Sequence, residues 1–117
     1  MNEPRARELV ALERARIESA LAELGEIRAE GSLQRQQTGD NADAASALET
    51  ESVTVALASD LREQLAAVER AEGRIAQGTY GRSVQSGIPI PDERLEAEPL
   101  AERTIEEQRH YERRGPN

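Results

Sequence analysis

Cysteine, phenylalanine and tryptophan are all missing from this 117-residue chain, and two tyrosines are its only aromatic residues. Without cysteine the chain can form neither disulfides nor thiolate metal sites. Without bulky aromatic residues its core must be thin. No segment approaches the roughly 18 apolar residues that a membrane-spanning helix needs, and the first residues contain no apolar signal core. We therefore expect a cytoplasmic protein that does not enter a membrane.

Positive charge is also scarce, since 23 acidic residues face 15 Lys plus Arg and the formal net charge is -8. The basic residues are scattered among glutamates and form no patch or stripe. Direct, sequence-specific nucleic-acid binding is not expected, because contact with phosphates needs clustered cations. A protein partner with a basic surface fits this charge better.

Signs of an enzyme are missing too. The sequence has no Ser-His-Asp arrangement, no phosphate-binding glycine loop and no His-rich metal site. We expect a non-enzymatic protein.

What the chain does contain is alanine, leucine, glutamate and arginine in helical patterns. Helices are predicted over about 4–30 and 44–77, with a polar loop from Gly31 to Asp43 between them. Two such helices would lie antiparallel and reach roughly 40–50 Å. Their predicted apolar stripes are Leu9, Val10, Leu12, Ile17, Leu21, Leu24 and Ile27 in the first helix, and Leu57, Leu61, Leu65, Val68 and Ile75 in the second.

Beyond Gly78, glycines and prolines interrupt the helical period. The segment Ile88–Ile90 is predicted to be extended, a short helix is expected after Pro91, and residues from about 100 to 113 have helical composition. The predicted fold is mainly α, with a hairpin over 1–77, its tip loop at about 31–45, and a small lobe with a C-terminal helix over 78–117.

The lobe carries a recognisable pattern. Residues Gly78–Gly81 read Gly-Thr-Tyr-Gly, Ile88 and Pro89 follow, and Arg94–Ala97 read Arg-Leu-Glu-Ala before Pro99. This framework resembles the zinc-finger signature of the DksA/TraR family of transcription regulators. In that family two Cys-x-x-Cys pairs bind zinc; here Ser83 and Ser86 stand at the first pair of positions, and Thr104 and Glu107 at the second.

Hydroxyl groups stay protonated near neutral pH and bind zinc poorly. A Glu107–His110 pair could bind a metal in principle, but two further ligands are not evident. We therefore expect a lobe without zinc or any other cofactor. Ser83, Ser86 and Thr104 would hydrogen-bond locally above an apolar cluster of Tyr80, Ile88, Ile90, Leu95, Leu100 and Ile105.

The resemblance extends to the predicted tip, where Asp40, Asp43 and Ala45 match the family's Asp-x-x-Asp-x-Ala. It implies a bacterial regulator that inserts its coiled coil into the secondary channel of RNA polymerase and brings these carboxylates near the catalytic Mg²⁺. Guanosine tetraphosphate bound together with polymerase would be a further partner. On residue type alone, Asp40 is a loop residue and Asp43 an N-cap of the second helix.

Two alternatives stay open. Arg94 could contact the polymerase rim, or it could pair with Glu96 or Glu98 on the lobe. The whole chain could be a stress-associated coiled-coil adaptor that kept the scaffold but not polymerase regulation, or a zinc-independent stand-in for a cysteine-bearing relative.

Overall fold

The computed structural model describes the backbone of residues 1–38 and 44–114, and the side chains of residues 1–31 and 49–114. Within these ranges four helices form in chain order: α1 (Glu3–Thr38), α2 (Ala44–Gln77), α3 (Asp92–Ala97) and α4 (Ile105–Arg114). The predicted mainly α fold is confirmed, and α2 has the predicted bounds. Within the described part of the chain, no helix is both long enough and apolar enough to span a membrane.

The start of the predicted tip loop is wrong. Helix α1 continues through Gly31 to Thr38, so 31–38 is helical rather than a loop. Glycine costs a helix only about 1 kcal/mol relative to alanine. The Gln and Arg residues that follow Gly31 are good helix formers and outweigh that cost. Polarity and one glycine were therefore insufficient to end the helix.

The chain divides into two compact units, and unit 2 comprises residues 14–66. Among the residues of unit 2 whose side chains are described, Ile17, Thr54 and Ala58 are buried. Thr54 is tolerated there because its hydroxyl donates a 2.7 Å hydrogen bond to the carbonyl oxygen of Thr50. The small buried residues Thr54 and Ala58 agree with the thin core expected from the composition.

Some of the predicted stripe residues in unit 2 are on the surface. Leu21, Leu24, Leu61 and Leu65 are half-buried as their spacing predicts. Ile27 and Leu57, in contrast, are largely exposed. The buried line of α2 passes through Ala58, so the larger neighbouring Leu57 is turned away from it. Choosing the bulkier residue placed the stripe one residue off in this turn of α2 only.

Unit 1 combines residues 1–13 with residues 67–117. Helices α1 and α2 and the lobe all contribute to its core, which contains Ala6, Leu9, Val10, Val68, Ala71, Ile75, Ile90 and Leu95. Leu12, predicted in the stripe, is exposed. Ala71 is fully buried and continues the apolar line of α2 between Val68 and Ile75.

Helix α2 ends in a tight turn at Gly78, whose φ of 77° lies in the left-handed region that favours glycine. The amide of Gly78 donates to the carbonyl of Ile75 (3.2 Å), and the amide of Thr79 donates to that of Arg74 (2.8 Å). These two bonds form a Schellman motif, which satisfies carbonyls at the helix end.

The lobe then forms a short hairpin-like turn. Arg82 and Pro89 form an isolated antiparallel bridge. The amide of Ser83 donates to the carbonyl of Ile88 (2.8 Å), and the amide of Ile90 donates to that of Gly81 (2.7 Å). The predicted extended segment at 88–90 is therefore present as one side of this turn.

The predicted apolar cluster of the lobe is only partly correct. Ile90 and Leu95 are buried, and Tyr80 and Leu100 are half-buried. Ile88 and Ile105, however, are 55% and 47% exposed. Their residue type suggested a core position, but both lie on the surface of the lobe. Helix α4 also begins at Ile105 rather than near Leu100.

Candidate functional site

The first pair of positions at which the DksA/TraR pattern has cysteine, Ser83 and Ser86, lies in the turn of the lobe. Ser83 is buried, and its hydroxyl oxygen accepts hydrogen bonds from the amides of Gln85 (3.1 Å) and Ser86 (3.2 Å). The hydroxyl oxygen of Ser86 accepts one from the amide of Ile88 (3.3 Å). Both serine side chains therefore stabilise the turn by hydrogen bonds to its backbone amides. The local hydrogen bonds predicted for Ser83 and Ser86 are confirmed.

The second pair of positions begins α4. The hydroxyl oxygen of Thr104 accepts a hydrogen bond from the amide of Glu107 (3.2 Å), and the Glu107 carboxylate accepts one from the amide of Thr104 (3.0 Å). This reciprocal pair is a capping box, which satisfies two free amides at a helix start. Its Thr-x-x-Glu signature is visible in the sequence, so this role could have been predicted.

The carboxylate of Glu107 brings the two pairs together. The hydroxyl of Ser86, the amide of Thr104 and the hydroxyl of Ser83 stabilise its charged form and lower its pKa from 4.5 to about 2. A carboxylate that accepts several hydrogen bonds releases its proton readily. All four positions therefore belong to one polar cluster, which we call the hydroxyl–carboxylate cluster (Ser83, Ser86, Thr104 and Glu107).

This cluster does not fit zinc. Its only ionised member is Glu107, whose oxygens already accept hydrogen bonds, whereas a structural zinc site needs four charged or imidazole ligands. His110 is exposed on α4. Within the described residues, no group of three or more His, Cys, Asp or Glu side chains could hold a metal ion. The lobe is held by hydrogen bonds where relatives of the resembled family use a metal.

A second polar contact joins the lobe to α2 through Glu102. Its carboxylate accepts hydrogen bonds from Arg70 (Nε to Oε2, 3.1 Å) and from Arg74 (Nη1 to Oε2, 3.0 Å). Burial alone would raise the pKa of Glu102, but the two guanidinium groups outweigh burial and lower it. The carbonyl of Glu102 also accepts the amide of Val84 (2.9 Å).

A third contact joins the lobe to α1. Arg5 binds both carboxylate oxygens of Glu96, with Nε to Oε1 at 2.9 Å and Nη2 to Oε2 at 2.6 Å. The hydrogen bond from Arg5 lowers the pKa of Glu96. The sequence did not predict either contact. Arg5 and Glu96 are 91 positions apart in the chain, and Arg70 and Glu102 are 32 positions apart. Helical spacing reports only on neighbours in sequence.

Arg94 lies mostly inside the lobe, with its side chain 12% exposed. Its Nε donates to the carbonyl of Arg103 (2.9 Å), and its Nη1 pairs with Oε2 of Glu98 (3.1 Å). Of the two partners considered from the sequence, Glu98 is the one observed. A contact between Arg94 and polymerase stays a prediction.

Of the three predicted tip residues, the structure describes only the backbone of Ala45. Asp40 and Asp43 lie outside the described residues. Ala45 is the second residue of α2. The roles assigned to these three residues by resemblance therefore stay predictions.

Comparison with solved structures identifies the architecture. The structure of transcription factor DksA2 from Pseudomonas aeruginosa superposes on the chain with a TM-score of 0.83 and 25% sequence identity, covering 96% of this chain and 84% of that one. The chain has the DksA-type fold. No family model matches the sequence, and no curated protein matches it significantly.

The DksA-type fold confirms the predicted helical hairpin with a small lobe, and the cysteine-free sequence agrees with a lobe that has lost its zinc ligands. The likeness supports a DksA-like transcription regulator as the functional class. The lobe of this chain has no thiolates, and the hydroxyl–carboxylate cluster forms hydrogen bonds at the four matching positions.

Proposed function

We propose that this protein is a DksA-like regulator that binds bacterial RNA polymerase through its secondary channel and modulates transcription initiation. The observation that carries this proposal is the likeness to transcription factor DksA2 over 96% of the chain. The Asp40, Asp43 and Ala45 pattern supports it, because in the sequence the two aspartates stand between the two long helices and Ala45 stands at the start of the second, where the family has its tip motif.

In this proposal Asp40 and Asp43 act near the catalytic centre of polymerase. Carboxylates are hard oxygen ligands that attract Mg²⁺. Their charge acts over a longer range where water is scarce, as in a narrow protein channel. Ala45, a small residue, would permit close approach of the tip to the polymerase surface. Guanosine tetraphosphate would bind with the polymerase complex rather than with this chain alone.

Double substitution of the tip provides the test. Asp40→Asn with Asp43→Asn should leave helicity unchanged and still permit co-purification with RNA polymerase, while the effect on initiation in a reconstituted transcription assay is lost. The matched control is Glu63→Gln with Glu69→Gln, which removes the same two charges from exposed positions of α2. That control should regulate like the unchanged protein.

Regulation that survives the double aspartate substitution would contradict the tip mechanism. The loss of the zinc ligands gives some support to a second function, that of a coiled-coil adaptor with the same scaffold. Under that alternative neither the unchanged protein nor the variants would co-purify with polymerase.

A further inference from the structure

A groove of about 720 Å³ lies on the surface of the lobe. Ile88, Pro89 and Pro91 form one side, and the rest is formed by α3 with Glu98 after it and by the start of α4 with Thr104 before it. Its apolar lining consists of Ile88, Pro89, Pro91, Ala97 and Ile105. The groove is open to solvent, since Ile88 and Ile105 are 55% and 47% exposed.

Ile88 and Ile105 are both exposed in the lining of this groove. Large apolar side chains are few in the lobe, yet two of them line this groove instead of joining Ile90 and Leu95 in the core. Isolated exposed apolar residues are common, but residues grouped in one depression, with polar groups around them, are typical of an interaction site. The pair provides a surface that a partner's apolar side chain could cover.

The charge around the groove is strongly negative. Glu93, Glu98, Glu106 and Glu107 line it together with a single cation, Arg94, which is paired with Glu98. Glu93 and Glu106 are exposed, and neither forms an ion pair with another described residue. Their free carboxylates favour a positively charged partner and repel an acidic one.

We propose that this groove docks a segment of a partner protein in which an aliphatic or aromatic side chain is flanked by Lys or Arg. The apolar side chain packs between Ile88 and Ile105, and the flanking cations meet Glu93 and Glu106. A second copy of this chain is a poorer occupant, because its net charge of -8 opposes approach to an acidic groove. This docking goes beyond the proposed polymerase function and does not involve the tip aspartates.

The test uses the full chain and two labelled peptides that differ only in charge. Both carry the same two leucines; one has lysines on either side, and the other has glutamates. Fluorescence anisotropy should show binding of the lysine peptide alone. Amide shift changes in the ¹⁵N-labelled chain should concentrate in residues 88–107.

Substitutions then separate the apolar contribution from the charged one. Ile105→Ser should weaken binding of the lysine peptide about tenfold, as expected from the loss of one buried aliphatic contact. Ile27→Ser is the matched control, because Ile27 is 48% exposed in unit 2 and lies outside the groove. Glu93→Gln with Glu106→Gln should weaken binding and flatten its salt dependence, whereas Glu63→Gln with Glu69→Gln should not.

Equal binding of the two peptides, equal effects of Ile105→Ser and Ile27→Ser, or no binding of the lysine peptide would each overturn the proposal. Sedimentation adds one more outcome. If the unchanged chain dimerises and Ile105→Ser makes it monomeric, the groove serves self-association, and the proposed partner segment is wrong. Peptide binding that persists when polymerase binding fails would leave this inference standing and refute only the proposed function.

Discussion

At the scale of single residues, Glu107 is the one ionisable side chain among the four that replace cysteine in the zinc-binding pattern. Its carboxylate accepts the amide of Thr104 and is stabilised by the hydroxyls of Ser86 and Ser83. A thiolate at that position would bind a metal, whereas this carboxylate joins the turn to α4 through hydrogen bonds. The lobe therefore depends on the ionised form of one side chain rather than on a bound metal ion.

That dependence predicts a specific response to acid. Because the folded state lowers the pKa of Glu107 from 4.5 to about 2, ionised Glu107 contributes stability above about pH 4.5 that is lost as pH falls towards 2. Urea unfolding of the full chain, followed by circular dichroism between pH 7 and 2, measures this contribution as the difference between the unchanged protein and Glu107→Gln.

The difference should be constant above about pH 5 and disappear near pH 2. Glu106→Gln, the neighbouring substitution on an exposed residue, is the control and should leave the pH dependence of unfolding as it is. If the Glu107→Gln difference were the same at pH 2 and pH 7, the carboxylate would not have the role assigned to it.

Introducing cysteines tests directly whether these four positions correspond to the zinc-ligand positions of the DksA/TraR pattern. A variant with Ser83→Cys, Ser86→Cys, Thr104→Cys and Glu107→Cys should bind one zinc ion per chain and unfold at a higher temperature with zinc than with chelator. Metal analysis and thermal unfolding measure both effects. The unchanged protein should give the same melting curve with and without chelator, and stoichiometric zinc in it would contradict the hydrogen-bonded lobe.

At the scale of elements, the sequence predicted what depends on periodicity and failed where tertiary contact decides. The bounds of α2 followed from its apolar spacing and from Gly78. The end of α1 was not predicted correctly, because local residue types do not determine how far a helix continues beyond a single glycine. Residue type alone also placed Ile88 in the core, although the lobe turns it outward.

Two glycines in different elements predict opposite effects of the same substitution. Gly73 lies inside α2 with no atom within 4 Å of an added Cβ, so Gly73→Ala should stabilise the protein by about 0.5–1 kcal/mol. Gly81 has a φ of 86°, and its Cβ would lie 3.4 Å from Cδ1 of Leu95, so Gly81→Ala should destabilise it by about 1 kcal/mol or more.

Denaturant midpoints of the two variants test this contrast, each serving as the control for the other. Stabilisation by both substitutions would mean that the turn after α2 is not held in the left-handed conformation described for Gly81.

At the scale of the whole molecule, the likeness to DksA2 links a sequence with no matching family model to a known architecture. The resemblance in the lobe and tip predicted that architecture, because its glycines, prolines and Arg-Leu-Glu-Ala segment fix backbone geometry that the loss of cysteine leaves intact. The ion pairs within unit 1, Arg5 with Glu96 and Arg70 and Arg74 with Glu102, could not be predicted, because nothing in sequence spacing relates such distant residues.

Unit 1 is assembled from the two ends of the described chain, with residues 14–66 between them. Bringing those ends together from an unfolded chain means closing a loop of roughly 50 residues, at an entropic cost of about 3–4 kcal/mol. Early pairing of the intervening helices would shorten that loop and lower the cost before the lobe docks. Substitutions inside residues 14–66 should then slow refolding, and substitutions within the lobe should mainly accelerate unfolding.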